Sequence, residues 1–264
     1  MEKRYGYLTI DDSPSVHTDA LTDALLADNI PALLFVRGDF LSKNPVPVVR
    51  AIEKGFAVGN HNYSHTRASQ LTAAQCIEEI EKTERLIDQA YREAGRARGG
   101  KYFRFPHIDR GTAGFIVDYD AYPAHRDELL SVFTDGLNIT LEPASDAAIV
   151  KKEALQSYLQ AEGYSAPFKN MNLPWYQDTE MAVATDCLYT YSNSDWMLTQ
   201  RHLGKDWPYK TLDNLKGKID NDPWLSNSRS HHIILAHDQP EILDVTLATI
   251  RHMTHKGIEF LPIT

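Results

Sequence analysis

Short apolar runs alternate along this chain with longer stretches whose apolar residues recur at helical spacing. Residues 5–10 predict a first strand, residues 17–27 a helix with Leu21, Leu25 and Leu26 on one face, and residues 32–36, after Pro31, a second strand. The pattern then repeats. Residues 45–54 carry Val48, Val49 and Ile52 and stop at Gly55, after which Phe56-Ala57-Val58 leads straight into a histidine loop. Thr72 and Gln75 form a capping box ahead of a long helix with Ile77, Ile80, Ile87 and Tyr91 inward, closed by Gly95. Its Glu- and Lys-rich outer face reads as a solvated surface. Tyr102-Phe103-Arg104 predicts a further strand, Ile233-Ile234-Leu235 another, residues 240–255 a helix and residues 258–261 a last strand.

Repeated βα units imply a parallel sheet, and the candidate chemical residues fall just after strands. The expected fold is therefore α/β: a distorted (β/α) barrel of about seven parallel strands with its active site at the C-terminal mouth. Residues 109–184 break the rhythm, with helices expected around 127–132 and 147–160 and then an aromatic segment, Tyr164 through Trp175-Tyr176, of no assignable period. This stretch is taken as an elaboration on one domain spanning residues 1–264, a length that can bury one large core. There is no internal repeat and no Gly-rich phosphate loop.

The balance of 27 basic against 36 acidic residues, a net charge of −9, and the lack of a basic stripe interleaved with aromatics argue against nucleic acid or an anionic membrane surface as partner. No apolar run reaches the roughly 18 residues of a membrane helix, so no membrane insertion is expected. Cys76 and Cys187 sit in no CxxC spacing and read as reduced thiols. The N-terminus enters the first strand almost at once, which makes a cytoplasmic protein the simplest account, although a chain trimmed of a leader reads the same way. The sequence carries no signal of oligomeric state.

Chemistry concentrates at the end of the first strand. Asp11 and Asp12 alone could be turn residues, since Asp-Asp-Ser-Pro suits a turn after a strand. His61 and His65 change the picture, because four residues apart they can lie on one side of a single turn and chelate one ion. One carboxylate and two imidazoles leave a coordination position open for water, and the spare carboxylate beside them can take that water's proton. This points to hydrolysis.

Five segments in order, Thr9-Ile10-Asp11-Asp12-Ser13, His61-Asn62-Tyr63-Ser64-His65, Arg104-Phe105-Pro106-His107, Asp195-Trp196 and Leu235-Ala236-His237, resemble the five motifs of the polysaccharide deacetylases, carbohydrate esterase family four. The resemblance covers most of the chain outside the middle elaboration. It implies that Asp12, His61 and His65 hold one divalent metal ion, usually zinc and sometimes cobalt, and that Asp11 is the general base, oriented and kept ionised by Arg104. It also implies His237 as general acid, paired with Asp195 that holds its tautomer and raises its pKa. The backbone N–H of His107 would stabilise the oxyanion, and Trp196 and Leu235 would wall the acetyl pocket.

The implied activity is metal-dependent removal of N-acetyl groups from N-acetylglucosamine-containing oligo- or polysaccharide. One rival is hydrolysis of a small non-sugar amide or cyclic imide; another is a catalytically silent carbohydrate-binding scaffold, which would be expected to have lost Asp11 or His237. The chain departs from the family at Ile10 and Ser13, where Phe and Gly are usual, and at His107, where Tyr is usual. The long path from His107 to Asp195 is expected to cover part of the mouth, with Tyr164, Phe168, Trp175 and Tyr176 either lining it, and so favouring short oligomers, or packing onto the barrel. His231 and His232 read as ordinary strand residues.

Overall fold

The structure is a computed structural model that describes residues 3–112, 119–139 and 142–263. Strand β1 (Arg4–Ser13) runs through its centre and is buried on both faces. Leu8 and Ile10 face outward among Leu21, Leu25, Leu247 and Ile250, whereas Tyr7 points inward to Ile233 and Leu235. Helix α1 (Thr18–Ala27) leads to strand β2 (Ala32–Val36), α2 (Gly38–Leu41) and α3 (Val46–Glu53) lie between β2 and β3 (Ala57–Asn60), and α4 (Ala73–Glu93) follows β3. The capping box at Thr72 and Gln75 opens α4, and Gly95, at φ 64, follows its end. Of the four residues expected inward on this helix, Ile80, Ile87 and Tyr91 are buried and Ile77 is half-buried at the margin.

One edge of β1 pairs in parallel with β5 (His231–His237), and the other with β6 (Ile258–Phe260) along its first residues and with β2 from Leu8 onward. β3 extends the sheet beyond β2, and β4 (Tyr191–Ser192) lies on the far side of β5. These six strands are joined by the predicted segment 102–104, which bridges to Asn60 through Phe103. The Asn60 N–H donates to Tyr102 O at 2.8 Å and the Arg104 N–H to Asn60 O at 3.0 Å. The Cys187 N–H then reaches Phe103 O at 2.7 Å, and Thr190 and Asn193 donate to β5, which closes the distorted (β/α) barrel. Gly59 permits the close approach, since a Cβ there would lie 2.7 Å from the Phe35 ring and 3.1 Å from Tyr102 O.

The elaboration carries α5 (Arg126–Phe133), α6 (Asp146–Ala161) and α7 (Pro174–Gln177). The first two are the expected helices, each longer by a residue at both ends. α6 packs on α4, burying Leu155 and Leu159 with Phe103, Phe105 and Tyr164. The aromatic segment does not line the mouth. Trp175 is 1% exposed and packs with Leu173, Tyr176 and Ile233, while the His231 N–H donates to Asn170 O and the Asn172 N–H to Ser230 Oγ, both at 2.9 Å. These contacts lie at the start of β5, the opposite end from His237, where the large rings fill the barrel interior and gain more by burial than at an open rim.

After the elaboration, α8 (Leu212–Asn221), which the sequence pattern did not reveal, precedes β5, and α9 (Leu243–His255) starts three residues later than expected. His231 and His232 are strand residues of β5. No described helix is long and apolar enough to cross a membrane. Cys76 and Cys187 are free and buried, and burial pushes their thiols up to about 11 and about 12.

Candidate metal centre and active site

Adjacent residues of a regular strand face opposite sides, so Asp11 and Asp12 could not serve one site without a break in the pleat. The break is present. The β1–β2 register shifts between Ile10 and Ser13, and Asp12 adopts φ 68, which brings both carboxylates to the mouth. The turn that follows is pinned by buried Asp238, whose Oδ2 accepts from Ser13 Oγ at 3.0 Å and Thr18 Oγ1 at 2.5 Å while Oδ1 accepts from Ser15 Oγ at 2.6 Å. The histidine loop is shaped in the same way by an Asn. Asn60 Oδ1 takes the Asn62 N–H at 2.9 Å, and Asn62 and His65 both sit at positive φ, 63 and 60. Left-handed non-glycine residues cost roughly 1–3 kcal/mol each, and their clustering here marks a shape held by its surroundings.

Asp12, His61 and His65 each direct one ligand atom to a common point, all within 4.8 Å of one another. His65 Nε2 lies 3.2 Å and His61 Nε2 4.0 Å from Asp12 Oδ1. Three features fit a cation. Asp12 Oδ1 is buried and has no hydrogen-bond partner, although Oδ2 takes the Gln239 side-chain amide at 2.6 Å. His61 Nδ1 is 2.8 Å from the Arg104 carbonyl, which fixes the proton there and leaves the Nε2 lone pair aimed at the site. Burial, outweighing the pull of Asp12, pushes His65 down to about 2 and keeps it neutral, the form that ligates. Asp12 itself is held below the usual carboxylate range: burial opposes this, and the charge on His237 and the Gln239 amide on Oδ2 prevail.

The spare carboxylate has a different environment. Arg104, fully buried, donates through Nη1 to Asp11 Oδ1 and to Thr9 Oγ1, both at 2.8 Å, and through Nε to Cys187 O at 2.8 Å, with its guanidinium over the Phe35 ring. Asp11 Oδ2 is left facing His61 Nε2 at 3.6 Å. Across the mouth, His237 Nδ1 is 2.7 Å from Asp195 Oδ1, whose Oδ2 takes the His237 N–H at 2.9 Å and Thr246 Oγ1 at 2.8 Å. Burial disfavours the charged ring, but the Asp195 carboxylate, with Asp12 and Asp11 behind it, raises His237 to about 9.

Asp11, Asp12, His61, His65 and His237 line one cleft of about 750 Å³, together with His107, Trp196 and Leu235, while Arg104 and Asp195 stand behind it. All ten residues singled out in the sequence thus come together or directly support the cleft. His107 has φ 56, its ring centroid lies 4.4 Å from that of His65 with the planes tilted by 54°, and among the described residues nothing accepts its N–H. Further wall residues were not foreseen: Phe133, Asp135 and Leu137 from the elaboration, Tyr189, and the rings of His202 and Trp207, whose centroids lie 5.3 and 5.0 Å from that of Trp196. Nor was Gln239 or Thr246. Of these, only Gln239, two residues beyond His237 of a recognised motif, had a sequence position that could have drawn attention to it.

The structure is a parallel α/β barrel with an aspartate–histidine–histidine group that could hold a metal ion at its mouth, flanked by an arginine-paired carboxylate and a carboxylate-paired histidine. Residues 1–112 match the sequence model described as polysaccharide deacetylase. It is 34% identical over 101 residues, 38% of this chain and 35% of the relative, to a peptidoglycan-N-acetylglucosamine deacetylase of Bacillus cereus. It is 32% identical over 92 residues, 34% of this chain and 42% of the relative, to a chitooligosaccharide deacetylase of Bradyrhizobium. The matches thus span less than half the length of these relatives. Among solved structures, a family 4 carbohydrate esterase from Streptomyces lividans in complex with acetate superimposes with a TM-score of 0.56 at 20% identity, covering 99% of this chain and 93% of that one. The peptidoglycan deacetylase PdaC of Bacillus subtilis gives 0.56 at 17% identity, over 99% and 88%. The likeness in fold therefore extends through Asp195 and His237, beyond the family match.

Proposed function

We propose that the protein is a metal-dependent hydrolase that removes N-acetyl groups from N-acetylglucosamine-containing oligo- or polysaccharide. The observation that carries this reading is the division of labour between adjacent carboxylates: Asp12 faces two neutral-capable imidazoles, while Asp11 is tied to a buried arginine and keeps one oxygen free. Asp12, His61 and His65 hold the ion, zinc by the nitrogen-rich donor set, with cobalt as a substitute. When bound, such an ion supplies a Lewis acid and lowers the pKa of a coordinated water from about 15.7 toward 7.

The chain's own groups do the rest. Asp11 Oδ2 takes the proton of the attacking water, since Oδ1 is engaged by Arg104. The His107 N–H is the free donor for the developing oxyanion. His237, its Nδ1 proton held by Asp195, gives the Nε2 proton to the departing nitrogen, without which an amide nitrogen is a very poor leaving group. Trp196 and Leu235 form the wall against the acetyl methyl.

The test is acetate release from chitooligosaccharides by zinc-loaded protein, set against ring opening of succinimide-like compounds. Faster turnover of the cyclic imides by more than tenfold rejects the sugar reading. The pairing of His237 and Asp195 adds a pH signature. An acid raised to about 9 keeps activity until pH climbs through that value. Replacing Asp195 by Asn removes the charge that favours the imidazolium, so the alkaline limb of kcat moves to lower pH; an unmoved limb assigns the proton to another group.

A further inference from the structure

Asp135 stands just after α5 in the elaboration, at φ 55, with its carboxylate buried. Four donors converge on it. Oδ1 accepts from Ser194 Oγ and Lys218 Nζ, both at 2.5 Å, and Oδ2 from Ser192 Oγ at 3.0 Å and the Trp196 indole N–H at 3.1 Å. Lys218, on α8, also donates to the Ser192 carbonyl and to Ser194 Oγ, each at 2.6 Å, with its ammonium 4.8 Å from the Tyr191 ring centroid. A buried ion pair whose acceptors are all engaged is rigid, because breaking any part leaves an unpaired polar group in a low dielectric. Its partners other than Lys218 lie in the five residues from Ser192 to Trp196. That stretch carries Asp195, and hence the orientation of His237.

The loop's other ties run to β5 and α9, where the Asn193 N–H donates to Leu235 O at 2.9 Å, Asn193 Nδ2 to Thr249 Oγ1 at 3.1 Å and Thr246 Oγ1 to Asp195 Oδ2 at 2.8 Å, so Asp135 and Lys218 hold the side of it that carries Ser192, left-handed Ser194 (φ 58) and Trp196. We propose that Asp135, with Lys218, is a positioning residue that fixes the plane of the Trp196 indole and the seat of Asp195, so that the elaboration completes the active site. The choice of substrate below rests on the deacetylase reading; the positioning role does not. A wall released by loss of Asp135 admits longer acyl groups while misplacing the acid.

The experiment uses the zinc-loaded full chain and its Asp135→Asn variant. The Trp196 indole N–H resonance, assigned with Trp196→Phe, is expected to shift and to exchange faster with solvent in Asp135→Asn. With N-acetyl and N-propionyl chitooligosaccharides, kcat on the acetyl substrate should fall by about 10²-fold, the scale of a small misplacement of catalytic groups, and the propionyl-to-acetyl ratio should rise. Unchanged kcat and acyl ratio in folded Asp135→Asn overturn the proposal even if the resonance moves. Should Asp135→Asn not fold, Trp196→Phe removes one donor and keeps the pair, and an unaltered acyl ratio there overturns it. If the wild-type protein turns over neither sugar, the deacetylase reading fails by itself. Acetate affinity, followed through the indole resonance, then decides: weaker binding in Asp135→Asn supports positioning and equal binding overturns it.

Discussion

Chelation brings turnover to background, and one equivalent of zinc or cobalt per chain restores it. The expectation rests on Asp12, His61 and His65, the one such ligand group among the described residues, and on the unpartnered Asp12 Oδ1 at its centre. Removal of an outer-sphere partner of a metal ligand commonly costs about 10- to 100-fold in affinity, so removal of a ligand itself should cost more. His65→Ala should therefore lose stoichiometric metal, measured by equilibrium dialysis and elemental analysis. Gln239→Leu, which strips the hydrogen bond from Asp12 Oδ2, should weaken binding by the smaller factor. Full activity in metal-free protein, or unaltered affinity in His65→Ala, would refute the site.

Much of the barrel was legible because β1, β2 and β5 are buried on both faces and read as uninterrupted apolar runs, and because α4 announces itself with a capping box. The chemistry was legible only through residue type and order. Strand parity would have placed Asp11 and Asp12 on opposite faces, and only the register shift at Ser13 reconciles them, a feature with no local signature in Asp-Asp-Ser-Pro. Gln239, Thr246 and Asp135 reach Asp12, Asp195 and Trp196 across sequence separations of 227, 51 and 61 residues, so no window of sequence contains both partners. The aromatic segment near Trp175 fails for a related reason. A ring that could stack on sugar and a ring that fills a core have the same composition, and only the contacts at the start of β5 separate them.

Asp11→Asn should leave metal stoichiometry intact and lower kcat by about 10²- to 10⁴-fold, the range for loss of a general base. The prediction follows from the separation of partners. Asp11 Oδ1 is held by Arg104 Nη1 at 2.8 Å, and the atoms that would ligate an ion belong to Asp12 and the two histidines. An amide at position 11 keeps the shape and can still accept from Arg104, so folding should survive, but it cannot take a proton from water at neutral pH. Asp12→Asn should show the reverse order of effects, losing metal first and activity as a consequence, because it changes the charge of the anionic ligand. Metal content and single-turnover rates of the two variants, determined on the same preparations, distinguish these outcomes. A rate near wild type in metal-loaded Asp11→Asn would place the base elsewhere in the cleft and remove the reason for Arg104 to be buried against this carboxylate.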